Sequence, residues 1–188
     1  DQSSSYIEYK SLIGLTSQAL LPRGACIMHA VAVKIHGYCW LITAPSGTGK
    51  TTQYYHLKSL YGNKVSMICG DMPLLEWSKD GKITVHPSPW NGKERIKGSE
   101  SAPLGGILFL KQGRENRIRR IKPSEAVIQT LLQLAFLPDT EEEALHIANF
   151  ADRLLRTYPI WEMVNLGDPA SARLAAETFL AYLEEGKK

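Results

Sequence analysis

The sequence predicts an α/β fold, rich in short strands over its first two-thirds and helical toward its C-terminal end. Three observations predict it. Short apolar runs rich in β-branched and aromatic residues alternate with Gly, Asn and Asp turns between residues 6 and 121. From Pro123 onward, apolar residues recur at helical spacing behind Pro and acidic starts. Within the first part, one strand runs into a glycine-rich loop that opens a helix. The 188 residues suit a single domain, 1–188, with the serine-rich residues 1–5 lacking fixed structure. At 44% hydrophobic and 22% charged, the composition excludes a disordered tail, a collagen-like fibre and a disulfide scaffold.

The elements follow in order. Tyr6–Ile13 reads as a first strand. Cys26–Ile35 and Tyr38–Thr43 read as strands around a His36-Gly37 turn. Thr51–Leu60 reads as a helix, and Val65–Cys69 is a continuous apolar run that suits a buried strand. Leu74–Trp77 and Lys82–His86 flank Lys79-Asp80-Gly81, a hairpin signal. Gly106–Leu110 and Arg117–Ile121 flank the polar stretch Lys111–Asn116 and read as another hairpin. Ser124–Phe136 follows Pro123 as a helix. Glu141–Thr157 is a second, with Ala144, Ala148, Ala151 and Leu155 on one face and three acids in its first turn, where the helix dipole favours them. Ile160–Leu166 is a late strand. Asp168-Pro169 then caps and opens a last helix that stops near Gly186.

The residues that carry chemistry stand at Thr43-Ala44-Pro45-Ser46-Gly47-Thr48-Gly49-Lys50-Thr51-Thr52. A strand precedes them and a helix follows, the context that a phosphate-binding P-loop requires. Gly47 and Gly49 let the backbone turn its N–H groups inward, and the helix adds its positive N-terminal end. Lys50 can reach β- and γ-phosphates and the Thr51 hydroxyl can ligate Mg²⁺. Ala44 stands where the strict motif has its first glycine, which negative φ would permit. Such loops work with an acid at the end of a neighbouring buried strand. Gly70-Asp71 ends the run Val65–Cys69 and supplies one.

The ordered set His29-Ala30-Val31-Ala32-Val33, Leu41–Thr51 and Gly70-Asp71 resembles the C-terminal catalytic domain of HPr kinase/phosphorylase. That family shows a His in a strand, a hairpin, the G-x-S-G-x-G-K-[ST] loop and then an acidic pair. Ser46–Thr52 is also similar to the kinase loop of phosphoenolpyruvate carboxykinase, which shares this P-loop fold. Pro89-Trp90-Asn91-Gly92-Lys93-Glu94 is similar to a segment of short HPr-kinase-like proteins of unassigned substrate. The ordered match spans about Cys26 to Asp71. It implies a β-rich P-loop kinase domain of the HPr kinase/phosphoenolpyruvate carboxykinase type with C-terminal helices. The implied activity is Mg²⁺–ATP-dependent transfer of the γ-phosphoryl group to a hydroxyl, a serine of a protein or peptide. Two alternatives stand beside it: a free amino acid or other small hydroxyl compound as acceptor, and a nucleotide-binding sensor or scaffold without transfer.

Carried over by position, Ser46, Gly47, Thr48, Gly49, Lys50, Thr51 and Thr52 bind ATP phosphates. Thr51 and Asp71 hold Mg²⁺. His29, Asp71 and Lys50 do the chemistry. One departure matters: the family has two adjacent acids where this chain has Gly70-Asp71. Asp71, or an acid such as Glu76, would then accept the hydroxyl proton, and Gly70→Asp would test the loss. The HPr enzyme is hexameric, and this sequence leaves the oligomeric state open.

Lys93 and Arg95, in the turn Trp90–Arg95, are candidates to neutralise the transferring phosphoryl. Arg114, Arg117, Arg119, Arg120 and Lys122 read as a solvated edge strand. Without aromatic interleaving they predict no nucleic-acid partner. No Cys/His spacing suggests zinc. Cys26, Cys39 and Cys69 read as buried reduced thiols. No apolar run approaches a membrane span and no signal peptide is legible, so the expectation is a cytoplasmic protein without a membrane partner. The first residue is Asp, which leaves any preceding region open.

Overall fold

The computed structural model describes residues 2–92, 98 and 100–186. Helix α1 (Gln2–Leu20) opens the chain where a strand over Tyr6–Ile13 and no fixed structure over residues 1–5 are expected. Ile13 and Ser17, one helical turn apart, share a buried face, and Tyr9 packs one turn earlier. That face decides for the helix.

The run Cys26–Ile35, expected as one strand, is two. β1 (Ala25–Ile27) pairs with the strand Leu74–Trp77. β2 (Val31–Ile35) pairs antiparallel with both β3 (Tyr38–Thr43) and β4 (Val65–Cys69). The chain changes partners at Met28–Ala30, so His29 sits in the break and not within a strand. Between β2 and β3, His36 and Gly37 both have positive φ, 51° and 83°, the two-residue turn that matches strand twist. Helix α2 (Lys50–Tyr61) lies between β3 and β4 in the chain.

β5 (Leu74–Trp77) and β6 (Ile83–His86) form the expected hairpin. β7 (Ala102–Gln112) pairs first with β6, then runs parallel beside β3. The expected pairing of Gly106–Leu110 with Arg117–Ile121 does not form. β9 (Ile160–Asn165) lies parallel to β7 and separates it from β8 (Arg117–Arg120). A strand more than forty residues later takes the place that a local hairpin would have filled. β8 pairs with β9 and forms an edge, as its arginines suggest. Among the described residues, nine strands run β1-β5-β6-β7-β3-β2-β4, with β9 and then β8 branching from β7.

Both faces of the central strands are covered, so they read as unbroken apolar runs. Along β3, Cys39 and Leu41 face one core, and Trp40 and Ile42 the other. Along β7, Ile107 and Phe109 oppose Leu108 and Leu110 in the same way. The first core is closed by α3 (Pro123–Gln133), which stops short of the expected Phe136, and by α4 (Glu141–Thr157). The α4 face is rotated from the expected one. Ile147, Phe150, Ala151, Leu154 and Leu155 are buried while Ala144 and Ala148 are exposed, because the larger side chains remove more apolar surface from water.

The second core is closed by α2 and by α5 (Pro169–Glu185). Asp168 caps α5 by accepting from the Ser171 N–H at 2.8 Å. Phe179 of α5 stacks on Trp40 with ring centroids 4.1 Å apart. Gly106 makes room: a methyl group there would lie 2.7 Å from the Trp161 ring and 2.9 Å from Trp40. Among the described residues, no helix is long and apolar enough to cross a membrane.

Candidate active site

Strand order builds the site. β3 delivers its loop at one edge of the sheet, and β4 ends at the same edge with Gly70-Asp71. The two are not adjacent, because β2 lies between them. β2 runs antiparallel, so its entry, His29-Ala30, falls between the loop and the acid. Hydrogen bonds to backbone carbonyls fix this arrangement. Ala30 N–H donates to Asp71 O at 2.8 Å, Met28 N–H to Pro73 O at 3.2 Å, and the Thr43 hydroxyl to His29 O at 2.8 Å.

The loop has the geometry its glycines predict. Gly47 and Gly49 have φ of 80° and 102°, the left-handed region that costs other residues energy. Ala44 is buried, and among the described residues His36 is the only non-glycine with positive φ. Alanine therefore serves in place of the motif's first glycine. Gly49 caps α2 with no side-chain bond to the first turn, so that turn presents its N–H groups to an anion. Ser46 and Thr52 are exposed at the loop and Thr51 is half-buried. Thr48 turns its hydroxyl back onto Pro45 O at 2.8 Å.

Lys50 is buried, and its Nζ donates to Ala44 O at 2.8 Å and to Pro45 O at 3.4 Å. Burial lowers its pKa, and the neighbouring Asp71 charge opposes that shift. The ammonium is thus held by weak neutral acceptors within reach of the loop's hollow. Phosphate oxygens offer it a stronger partner.

An oxygen lies beside each ring nitrogen of His29. Nε2 lies 3.4 Å from Asp71 Oδ1, and Nδ1 lies 2.9 Å from Gln133 Oε1 at the end of α3. The His29 N–H also donates to Gln133 O at 2.7 Å. Tyr9 of α1 stands near the same carboxylate: burial pushes its phenol pKa up, and the Asp71 charge adds to the shift. Gln133 and Tyr9 were not legible as site residues. Each is brought in from a distant helix, and no motif marks them.

The structure gives a physical reason for Gly70. A methyl group there would lie 2.5 Å from the Asn91 carbonyl oxygen and 3.3 Å from Met67 Sδ. The segment Ser88–Gly92 is pinned across this position. Met72 N–H donates to Trp90 O at 3.1 Å, and the Asn91 side-chain amide to Ser88 O at 2.9 Å. Gly92, with φ 73°, packs on Asp71. An acid at position 70 would displace backbone, so Gly70→Asp perturbs the fold and is not a clean restoration. Glu76, the other acid considered, pairs with His86 across the β5–β6 hairpin at 3.1 Å. Lys93 and Arg95 lie outside the described residues.

The donor set suits a hard cation. Thr51 offers a hydroxyl and Asp71 a carboxylate, hard oxygen donors of the kind that could hold Mg²⁺. Among the described residues, no group of three or more His, Cys, Asp or Glu converges on one point. A cavity of about 710 Å³ opens at the other end of β2 and β3, lined in part by Lys34, His36, Lys58 and Lys64. It carries neither the glycine loop nor the Asp71–His29 pair.

No family model matches the chain, and no curated protein matches it. Among solved structures, the Hpr(Ser) kinase/phosphatase from Coxiella burnetii is similar at a TM-score of 0.47 and 12% identity. The alignment covers 86% of this chain and 97% of that one.

Proposed function

We propose that this chain is an ATP-dependent phosphotransferase: it binds Mg²⁺–ATP at residues 46–52 and transfers the γ-phosphoryl group to a serine hydroxyl of a protein or peptide. The observation that carries the proposal is the convergence of three elements at one sheet edge. They are the left-handed glycine loop with Lys50, the Asp71 carboxylate, and His29 held between them.

In this reaction the acceptor oxygen forms a bond to the γ-phosphorus as the bond to the β-bridging oxygen breaks, and the hydroxyl proton passes to the Asp71–His29 pair. Lys50 leaves the Ala44 and Pro45 carbonyls and follows the charge toward the β–γ bridge. The first-turn N–H groups of α2 hold the phosphates. Thr51 and Asp71 would hold Mg²⁺, which would supply charge neutralisation to the phosphates. Gln133 keeps the His29 ring from rotating. Lys93 and Arg95 remain proposed phosphoryl contacts, one and three residues beyond Gly92, which packs on Asp71.

Gly70 favours a second reading, a nucleotide sensor without transfer, because the place of a second acid is taken by the Asn91 carbonyl. Labelled [γ-³²P]ATP with a serine peptide library separates the two. Transfer by the intact protein that falls by about 10²–10⁴-fold in Asp71→Asn supports the kinase. ATP binding with no transfer in the intact protein supports the sensor.

A further inference from the structure

β5, β6 and β7 lie side by side, and their inner face is apolar: Leu75, Val85 and Ala102 are buried. Strand alternation sends the neighbouring residues to the outer face. There Glu76 of β5, His86 of β6 and Ser101, the residue that enters β7, come together. Ala102 pairs with Val85, so the next step of the register sets Ser101 opposite His86. Glu76 pairs with Thr84, two residues from His86 and on the same face.

The Ser101 hydroxyl lies 2.8 Å from His86 Nδ1, and Glu76 Oε2 lies 3.1 Å from Nε2, off the hydrogen-bonding axis. A carboxylate beside Nε2 favours the tautomer with its proton there and leaves Nδ1 free to accept. Nucleophile, base and acid in this order form the arrangement that activates a serine. Ser101 is exposed, so an incoming group meets the hydroxyl without opening the fold. The trio stands apart from the phosphate loop. Glu100, beside Ser101, pairs with Lys34 at 2.5 Å, and Lys34 lies opposite Cys39, near the start of β3. The loop leaves the other end of β3, after Thr43. A hydroxyl held on the strand face there does not reach the loop of its own chain.

We infer that Ser101 is a phosphoryl acceptor and that the donor is ATP bound by a second copy of this chain. The inference rests on the kinase reading above and names an acceptor for it. Gly70 leaves no room for a second acid beside Asp71, and a serine that brings its own base makes up for that acid. Ser101 Oγ bonds to the γ-phosphorus as the bond to the β–γ bridging oxygen breaks. ADP leaves, and the hydroxyl proton passes to His86 Nδ1. The imidazolium so formed faces the new phosphate on one side and Glu76 on the other.

The test incubates the intact protein with Mg²⁺–[γ-³²P]ATP and maps the label by tandem mass spectrometry, beside transfer to a serine peptide library. The expected result is label on Ser101, at a rate per molecule that rises with protein concentration. His86→Gln should label itself about 10²-fold more slowly and phosphorylate the peptides as the intact protein does. Labelled peptides with Ser101 unlabelled, or equal self-labelling by His86→Gln, overturns the inference and leaves the kinase reading standing. A rate per molecule independent of protein concentration overturns the second copy as donor. No transfer to Ser101 or to any peptide overturns the kinase reading and the inference with it.

Discussion

Gly70→Ala should be destabilising, although it adds one methyl group to a strand end. The added carbon would sit 2.5 Å from the Asn91 carbonyl oxygen. The closest ordinary C···O approaches are about 3.3 Å, so the contact is short by about 0.8 Å. The obstacle is backbone and not the end of a flexible side chain. Met67 Sδ, at 3.3 Å, blocks retreat on another side. Overpacking of this kind costs about 1–3 kcal/mol. Gly14→Ala is the internal control. Gly14 lies within α1 and has no atom within 4 Å of an added methyl, so that change should stabilise by about 0.5–1 kcal/mol. Urea denaturation of both variants reads the difference. If Gly70→Ala is as stable as the starting protein, segment 88–92 does not press on position 70, and the account of the missing acid fails.

Three further outcomes are expected. Burial pushes the Cys26 thiol up to about 12 and the Cys39 thiol well above its ordinary value. Ellman's reagent should therefore label neither before denaturant is added, and rapid labelling of the native protein would contradict that burial. Glu162 is held below the usual carboxylate range, first by the Lys111 hydrogen bond and then by Arg119, against burial. Its contribution is full above the unfolded-state value and lost as pH falls through the depressed one. The stability gap to Glu162→Gln should thus be present at pH 7 and close below about pH 4, and a gap constant down to pH 3 would refute the pairing. Phe179→Ala removes a buried ring stacked on Trp40 and should cost about 3–5 kcal/mol in urea. A loss below about 1 kcal/mol would mean that α5 is not seated on β3.

Local signals were enough for much of the fold. Tyr38–Thr43, Val65–Cys69, Leu74–Trp77 and Glu141–Thr157 stand where their apolar runs, turns and caps put them. What failed was non-local. Nothing between Gly106 and Ile121 announces that β9 will insert itself there, and nothing in Cys26–Ile35 marks the change of partner at His29. Tyr6–Ile13 is short and rich in residues that suit a strand, and the packing of Ile13 and Ser17 selects the helix.

The site divides in the same way. Gly47, Gly49, Lys50 and Asp71 belong to a motif whose spacing encodes its geometry. Gln133 reaches His29 from 104 positions away. Gly70 was legible as a departure but not as a steric requirement, because the Asn91 carbonyl that explains it lies on another segment.

The phosphate site is the central claim, and calorimetric titration of the intact protein with ATP in the presence and absence of Mg²⁺, beside Lys50→Ala, tests it most directly. The account predicts saturable, Mg²⁺-dependent binding that weakens at least tenfold in the variant. Absence of binding in the intact protein, or equal binding by Lys50→Ala, would contradict it.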